Sequence, residues 1–430
     1  MASIEKDTVQ KRELRYASSA EDLKRAQELV ERTTGAEDYG THRAVDGRVL
    51  MVFFTDLEPD DIMACAQLSQ LWLAPGETPL VLFSTDLRNK DQGNIFANKL
   101  TMARLALGPV EFCVFKSGQQ HMRLDAAIRR VAQFPGDTIR FYIMAPGRGF
   151  LAEFLNGVKE RCEWPPRQAW HVSMYSGSFN VRGMSKKDLQ SLQQLTIASG
   201  TPLVDVSRFV FFGRDQALPC TKNLEGFVPS DFGENVRQAA PLLAAVMELF
   251  NEEFNGRLIH PDHTKLFRPG QPLNRQEEER FARIRLRFDQ NDCAAIREYA
   301  RGLFEDAQLF SKVADYKCGT VRALAHGSIN SPLCDQLLFL HEWLTKERPW
   351  WLCLQEGRWS IDKDNGFSCV TQGDEGGPRA VQPVLQDPAQ EDRLAEMAGA
   401  MEKYFIKHLA SHDTSRTVHS SSPNMAVSSM

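Results

Sequence analysis

The sequence is poor in the signals that mark several protein classes. No two cysteines are spaced as CxxC, and the nine present, at 65, 113, 162, 220, 293, 318, 334, 353 and 369, are odd in number and widely spread. Neither a zinc site nor a secreted disulfide framework is expected from that pattern. The thiols are expected to be free, mostly buried as small apolar groups, in a reducing and cytoplasmic compartment. No apolar run approaches the roughly 18–20 residues of a membrane helix, so no membrane association is expected. The opening residues MASIEKDTVQKREL lack the apolar centre of a secretory signal. Charge of one sign is also scarce. With 51 Lys+Arg against 56 Asp+Glu the formal net charge is -5, so the basic surface of a nucleic-acid reader is not expected. The phosphate-cradling pattern GxxxxGK[ST] does not occur. Gly147-Arg148-Gly149 lacks the third glycine of a dinucleotide fingerprint and reads as a tight strand-to-helix turn.

What is present is a chain of ordinary globular composition, 430 residues with 42% hydrophobic and 25% charged. That length accommodates two or three domains, or one large elaborated α/β domain. Residues 1–46 are charged, with a helix expected from Ser18 to a stop at Gly35. Val49–Phe54 is a continuous apolar run, which suits a strand buried on both faces of a parallel sheet. From there the pattern alternates. Strands are expected at 79–83, 110–115, 138–144, 170–174 and within 202–212, and helices at 62–74, 94–107, 123–134, 150–160 and 187–199. Such alternation implies βαβ units and a mostly parallel central sheet flanked by helices. Ligands of these sheets sit beyond the strand carboxyl ends, which singles out the loops after Phe54, Phe83, Met144 and Met174. Residues 235–325 read as a helical elaboration, with IREYARGLFEDAQLFSKVADY as its last helical run. A helix at 333–344, a short stranded region at 350–370 and a closing helix at 390–410 follow. The Ser-rich tail 411–430 is expected to be disordered.

The densest chemistry is Thr55-Asp56-Leu57-Glu58-Pro59-Asp60-Asp61, where four carboxylates occupy the six residues 56–61. Carboxylates this close repel one another and raise their own pKa values unless a cation offsets them. Hard oxygen ligands of this kind suit calcium or magnesium. The competing reading is a solvated, acid-rich helix start stabilised by the helix dipole. The buried strand directly before the acids favours a site, because it aims their loop at the ligand crevice.

An apolar strand followed by an Asp, with an Asp-Asp pair four and five residues on, resembles the inosine-uridine preferring nucleoside hydrolase family. Its signature is D-x-D-P-G-x-D-D; Asp56, Asp60 and Asp61 fall on the last three acids, and Phe54 stands at the first. Further segments resemble the family in the same order. STDLRNKDQGNIFANKLTMARLALG is similar to its second strand and helix, with Asn89 in the Asn position. IMAPGRGFLAEFL is similar to G-P-L-T-N-L-A-x-x-L, with Arg148 at the Thr. VSMYSGSFNVRGM is similar to M-G-G-x-x-x-x-x-G-N, with Met184 at the Asn. Ser331–Leu337 is similar to H-D-P-L-A, with Asp335 at the Asp and Cys334 at the His. GFSCVTQGDEGG resembles the closing strand. The resemblance spans roughly residues 48–215 and 325–410 and argues for one nucleoside hydrolase-like α/β domain over 47–410.

The resemblance implies hydrolysis of the N-ribosyl bond of nucleosides or related small molecules, assisted by calcium. Asp56 would bind the ion and act as general base on water, a role that needs an ionised carboxylate. Asp61 and Asp335 would be carboxylate ligands, and the Arg148 main-chain oxygen a fourth. Asp60 and Asn89 would meet the ribose, and Cys334 would face the leaving base. A transition state of oxocarbenium character is favoured by the surrounding negative charge. Relatives commonly assemble as homo-oligomers, which implies dimers or tetramers here.

The departures point to a second reading. Met184 offers a sugar nothing to bond, and SKKDLQSLQQL has no counterpart of the family's ribose-contacting A-E-F-N. Cys334 is a weaker proton donor than the His it replaces, since a thiol titrates near roughly 8.5. His260, His263 and His326 are substitutes for that acid, or surface and structural residues. Arg148 could meet an anionic ligand or pair with the acids. The alternative is therefore a catalytically silent relative that binds a nucleoside or ADP-ribose-like ligand. A phosphatase with a nucleophilic Asp after a buried strand fits less well, because Glu58 stands where such enzymes carry a second Asp.

Overall fold

The computed structural model describes residues 18–33, 48–84, 94–115, 124–162, 166–206, 232–258, 266–279, 282, 293–325, 335–347, 352–371 and 377–411, excluding 76, 109, 148, 176–183, 201, 315–316, 319–320, 322–323, 363–366 and 386–390. In chain order the elements are α1 (Ala20–Thr33), β1 (Val49–Thr55), α2 (Pro59–Trp72), β2 (Leu80–Ser84), α3 (Asn94–Leu107), β3 (Glu111–Phe115), α4 (Leu124–Ala132), β4 (Thr138–Ile143), α5 (Phe150–Arg161), β5 (Ala169–Met174), α6 (Lys186–Ser199) and β6 (Leu203–Asp205). They continue with α7 (Phe232–Ala239), α8 (Pro241–Leu258), α9 (Cys293–Glu305), α10 (Ala307–Lys312), α11 (Gln336–Glu347), β7 (Leu352–Asp362), β8 (Phe367–Thr371), β9 (Arg379–Leu385) and α12 (Glu391–Ser411). The fold is α/β with a mainly parallel sheet and flanking helices. The expected tail from Ser411 onward and the expected stop at Gly35 lie, beyond Ser411 itself, outside the described residues.

The chain divides into two compact units, one of Met1–Ala36, Asp86–Met102 and Ser230–Ser331, the other of Glu37–Thr85, Ala103–Pro229 and Pro332–Met430. The second unit holds the sheet, in the order β3-β2-β1-β4-β5-β6-β9-β7-β8. Every neighbouring pair from β3 through β9 is parallel, and β7 runs antiparallel to both β9 and β8. The order reverses direction between β1 and β4. That is the switch point at which chain connections leave to opposite sides and open a crevice beyond the strand ends. The reversal places the loops after β1 and β4 side by side, and Met144 N (2.8 Å) and Ala145 N (3.2 Å) both donate to Phe54 O there.

Burial explains the continuous apolarity of the inner strands. All of β1 after Val49 is buried, as is all of β2. Helix α2 is equally enclosed, since it packs on α11 and α12 and buries residues round its whole circumference. Gln67 Nε2 donates to Met401 O at 2.9 Å, which satisfies one polar group inside that packing.

Two local readings differ from the structure. The run read as a single helical stretch at 296–316 breaks at Asp306, whose carboxylate accepts from Gln308 N (3.1 Å) and Leu309 N (3.0 Å) and starts α10 anew. The stranded region near 350–370 extends further, because β9 follows it and is the seventh parallel strand. Pro383 argues against a central strand in the sequence. β6, however, pairs with β9 only at Ala380 and Val381. Pro383 faces Leu354 of β7, and its missing N–H leaves no ladder bond broken toward β6.

In the first unit α1 packs on α8. The Glu248 carboxylate accepts from Ser18 N (2.9 Å) and Ser18 Oγ (2.8 Å), and pairs with Arg237 at 2.9 Å. Arg297 bridges Glu248 and Glu252. Burial pushes the Glu252 carboxyl up from 4.5 to about 7, against the pull of Arg297. A carboxyl whose folded pKa is raised stabilises the fold below its unfolded pKa, and that stability is lost as pH rises through the folded value. Urea unfolding is expected to show stability falling between about pH 4.5 and pH 7 through this group, and Glu252→Gln should flatten that part of the profile. An identical slope in wild type and variant refutes the assignment.

Candidate metal and ligand site

The acidic loop is built at the carboxyl end of β1. Thr55 is the last strand residue and is fully buried. Its hydroxyl donates to Asp61 Oδ1 at 2.6 Å and accepts from Leu57 N at 2.9 Å. Leu57 has a left-handed backbone with φ 55°, a conformation that costs an L residue roughly 1–2 kcal/mol. Its side chain is fully buried, and that burial offsets the strain. The turn ends at Glu58, whose N–H donates to Asp61 Oδ2 at 3.3 Å. Pro59 then opens α2, where a residue without an N–H is best tolerated.

Asp60 and Asp61 lie in the first turn of α2, with exposures of 8% and 2%. The solvated helix-start reading is therefore excluded for these two acids. Asp335, 5% exposed, precedes α11. Gln336 Nε2 donates to Asp60 O at 2.9 Å and fixes the start of α11 against the start of α2. One carboxylate oxygen from each of Asp60, Asp61 and Asp335 lies within 4.8 Å of the others. Asp335 Oδ1 is buried with no hydrogen-bond partner.

Burial is the main cause that pushes the Asp61 carboxyl well above the usual carboxylate range, and the charges of Asp335, Asp56 and Asp60 add to it. Asp335 is raised by burial, then by Asp60, Asp56 and Glu58. Cys65, one helical turn beyond Asp61, is fully buried with its Sγ 3.9 Å from Met144 Sδ. Burial and the charges of Asp61 and Asp335 push its thiol up, so it remains protonated. Three buried carboxylates facing one another, one with an orphaned oxygen, form a donor set that fits a hard divalent ion. Asp60, Asp61 and Asp335 would hold it. Asp56, half-buried, is not one of the three closest donors, although its charge acts on both Asp61 and Asp335.

Asn89, Arg148 and Cys334 lie outside the described residues, as do His260, His263 and His326. The turn around Arg148 is nonetheless defined from both sides. Gly149, at φ 93°, precedes α5. Asp188 of α6, fully buried, accepts from Gly149 N (2.6 Å), Ala152 N (2.9 Å) and Ser185 N (2.8 Å). A Cβ on Gly147 would come within 2.8 Å of the Asp188 carboxyl carbon, so the turn needs glycine there. Met184 is 2% exposed and belongs to the apolar core with Trp170, Met174 and Trp359. The roles of Thr55, Leu57 and Gln336 are not visible in the sequence, because none carries a distinctive spacing. Asp188 is likewise hidden, since its partners lie 36 and 39 residues away.

No protein-family model matches this sequence, and no curated protein matches it. Among solved structures the chain is similar to the effector protein XOO4466, at 12% identity and a TM-score of 0.44 over 90% of this chain and 99% of that one. It is also similar to the type III effector protein XopQ, solved in complex with adenosine diphosphate ribose, at 12% identity and a TM-score of 0.44 over 91% of this chain and 99% of that one. Among the described residues no helix is long and apolar enough to cross a membrane.

An ion that binds only the folded state stabilises it by about 2.7 kcal/mol at a hundredfold excess over its Kd. Millimolar calcium is therefore expected to raise the Tm of the chelator-treated protein by several degrees. Asp335→Asn should raise the Tm in chelator, by removing a buried charge, and abolish the response to calcium. A wild-type Tm indifferent to calcium, magnesium and chelator would rule the site out.

Proposed function

We propose that this chain is a nucleoside hydrolase-like protein that hydrolyses an N-ribosyl bond in a nucleoside or a related ribosyl compound. The observation that carries this reading is the convergence of Asp60, Asp61 and Asp335, buried together beyond β1 at the point where the sheet order reverses. The sequence resemblance, read from motifs in a shared order, supplies the reaction class. A divalent ion held by these carboxylates, calcium by resemblance, would lower the pKa of a bound water and orient sugar hydroxyls.

The chain's own residues then have distinct tasks. Asp56 follows the last residue of β1 and is only half-buried, so it can receive a proton from the attacking water, as a general base must. Asp60, whose carboxylate is one of the three, would by resemblance also accept from a ribose hydroxyl. The assembled negative charge favours a ribosyl group that gains positive character as the glycosidic bond breaks. Asp188 fixes the start of α5 beyond β4 by accepting from Gly149 N and Ala152 N.

A second reading, a silent binder of a nucleoside or ADP-ribose-like ligand, is favoured by two specific observations. Met184 stands where the family presents a sugar-binding Asn, and here it is core. Asp188, within the stretch that replaces A-E-F-N, is saturated by main-chain donors and does not offer its carboxylate to a sugar. One experiment separates the two. Purified protein incubated with ribonucleosides and ADP-ribose, with calcium or with chelator, is expected to release free nucleobase only with calcium. Asp56→Ala should reduce turnover by at least about a hundredfold, the low end of general-base contributions. Saturable ligand binding without any turnover establishes the silent binder, and turnover that survives both chelator and Asp56→Ala refutes the mechanism.

A further inference from the structure

Where the resembled H-D-P-L-A motif carries proline after its Asp, this sequence has Gln336. Proline suits that place, because the first helical residue has no intrahelical use for its N–H. Glutamine brings something different, a long side chain with a donor and an acceptor side by side at its end. Gln336 is the first residue of α11 and is fully buried. A glutamine is seldom buried so completely, and buried polar groups are nearly always paired.

One half of the amide is paired. Gln336 Nε2 donates to Asp60 O at 2.9 Å, across 276 positions of the chain. Only the NH2 end of an amide can bond a carbonyl oxygen, so this contact fixes which way the amide faces. The other half is left over: Gln336 Oε1 is buried with no hydrogen-bond partner. Its chain neighbour Asp335 also carries a buried, unpartnered oxygen, Oδ1. A buried acceptor without a partner costs stability. An apolar side chain of the same length would fill the place without that cost, so the amide is a poor choice for stability alone.

The Gln336 bond joins the two halves of the donor set. Asp60 and Asp61 sit on the first turn of α2, and Asp335 lies directly before α11. Thr55 and the Glu58 N–H orient Asp61 from within its own loop, which leaves Asp335 to be placed from α11. Three buried like charges repel one another unless an ion offsets them, and the repulsion acts to part the two helix starts. The Gln336 amide opposes it at its source, one residue from Asp335 and on the backbone of Asp60. The helices themselves have other attachments, since α2 packs on α11 and Leu337, Leu338, Leu340 and Leu344 are fully buried.

We propose that Gln336 is a positioning residue for a divalent ion: its amide holds Asp335 against Asp60 and Asp61 so that the three carboxylates share one cation. The inference rests on the reading of that cluster as a metal site. Groups that orient metal ligands from outside the ligand set contribute about 10–100-fold to affinity. Magnesium demands more ideal geometry than calcium, so it is the more sensitive to a loosened donor set.

Calorimetric titration of the full chain with calcium and with magnesium, beside thermal unfolding in chelator, tests this with two variants. Gln336→Met keeps the length and removes the amide. Gln336→Asn keeps the amide but is one methylene too short to reach Asp60 O. Both are expected to weaken calcium by about 10–100-fold and magnesium by more. Gln336→Met should leave the Tm in chelator unchanged or raised, which loss of a purely structural bond would not do. Calcium affinity equal to wild type in both variants overturns the proposal and leaves the metal site standing. A Tm in chelator that falls in both variants, or failure of both to fold, assigns the amide to the fold alone and equally overturns it. A wild type that binds neither ion removes the metal site itself, and this role with it.

Discussion

The fold is organised around a repulsion. Three carboxylates are buried together where α2 and α11 begin, and like charges in a poorly solvated place are unfavourable unless a proton or a cation is shared among them. The surroundings hold them there nonetheless. Thr55 bonds Asp61, Gln336 bonds the backbone of Asp60, and Leu57 keeps a left-handed turn by burying its side chain. The enclosure of α2 by α11, α12 and the strand layer supplies the apolar packing against which this local cost is set. Leu57's left-handed turn and the orphaned Asp335 Oδ1 lie at this same place.

At the other ends of the same two helices a second cavity opens, lined among others by Arg140, His341, Val204 and Leu354.

At two positions where the resemblance implies a sugar-facing residue, the structure has a structural one. Met184 lies in the apolar core, and Asp188 spends its carboxylate on the amides that start α5. Asp61 and Asp335, which the resemblance assigns to a metal, are buried together with Asp60, whereas part of the sugar-facing set that it implies has no counterpart. That imbalance is why a silent binder stands beside the hydrolase as the second reading.

The periodicity of the sequence was enough to place nearly every strand and helix of the parallel sheet, because burial on both faces leaves continuous apolar runs such as Val49–Phe54. The acid-rich loop was equally legible, since four carboxylates crowded at the end of a buried strand repel one another and so point to a shared cation. Its burial was not legible, and the approach of Asp335 across 274 residues from Asp61 was expected only from the family resemblance, since no local spacing connects them. The strand β9 was hidden by Pro383, whose lack of an N–H matters only where a neighbour would use it, and that neighbour is set by the register of β6. The second cavity had no sequence signature at all: Arg140, His341 and Leu354 come from separate elements, each ordinary in its local pattern. Local pattern determined the elements and the acids. Tertiary structure alone decided which of those acids lose their water and which donors are left without a partner, because both depend on what packs around them from distant parts of the chain.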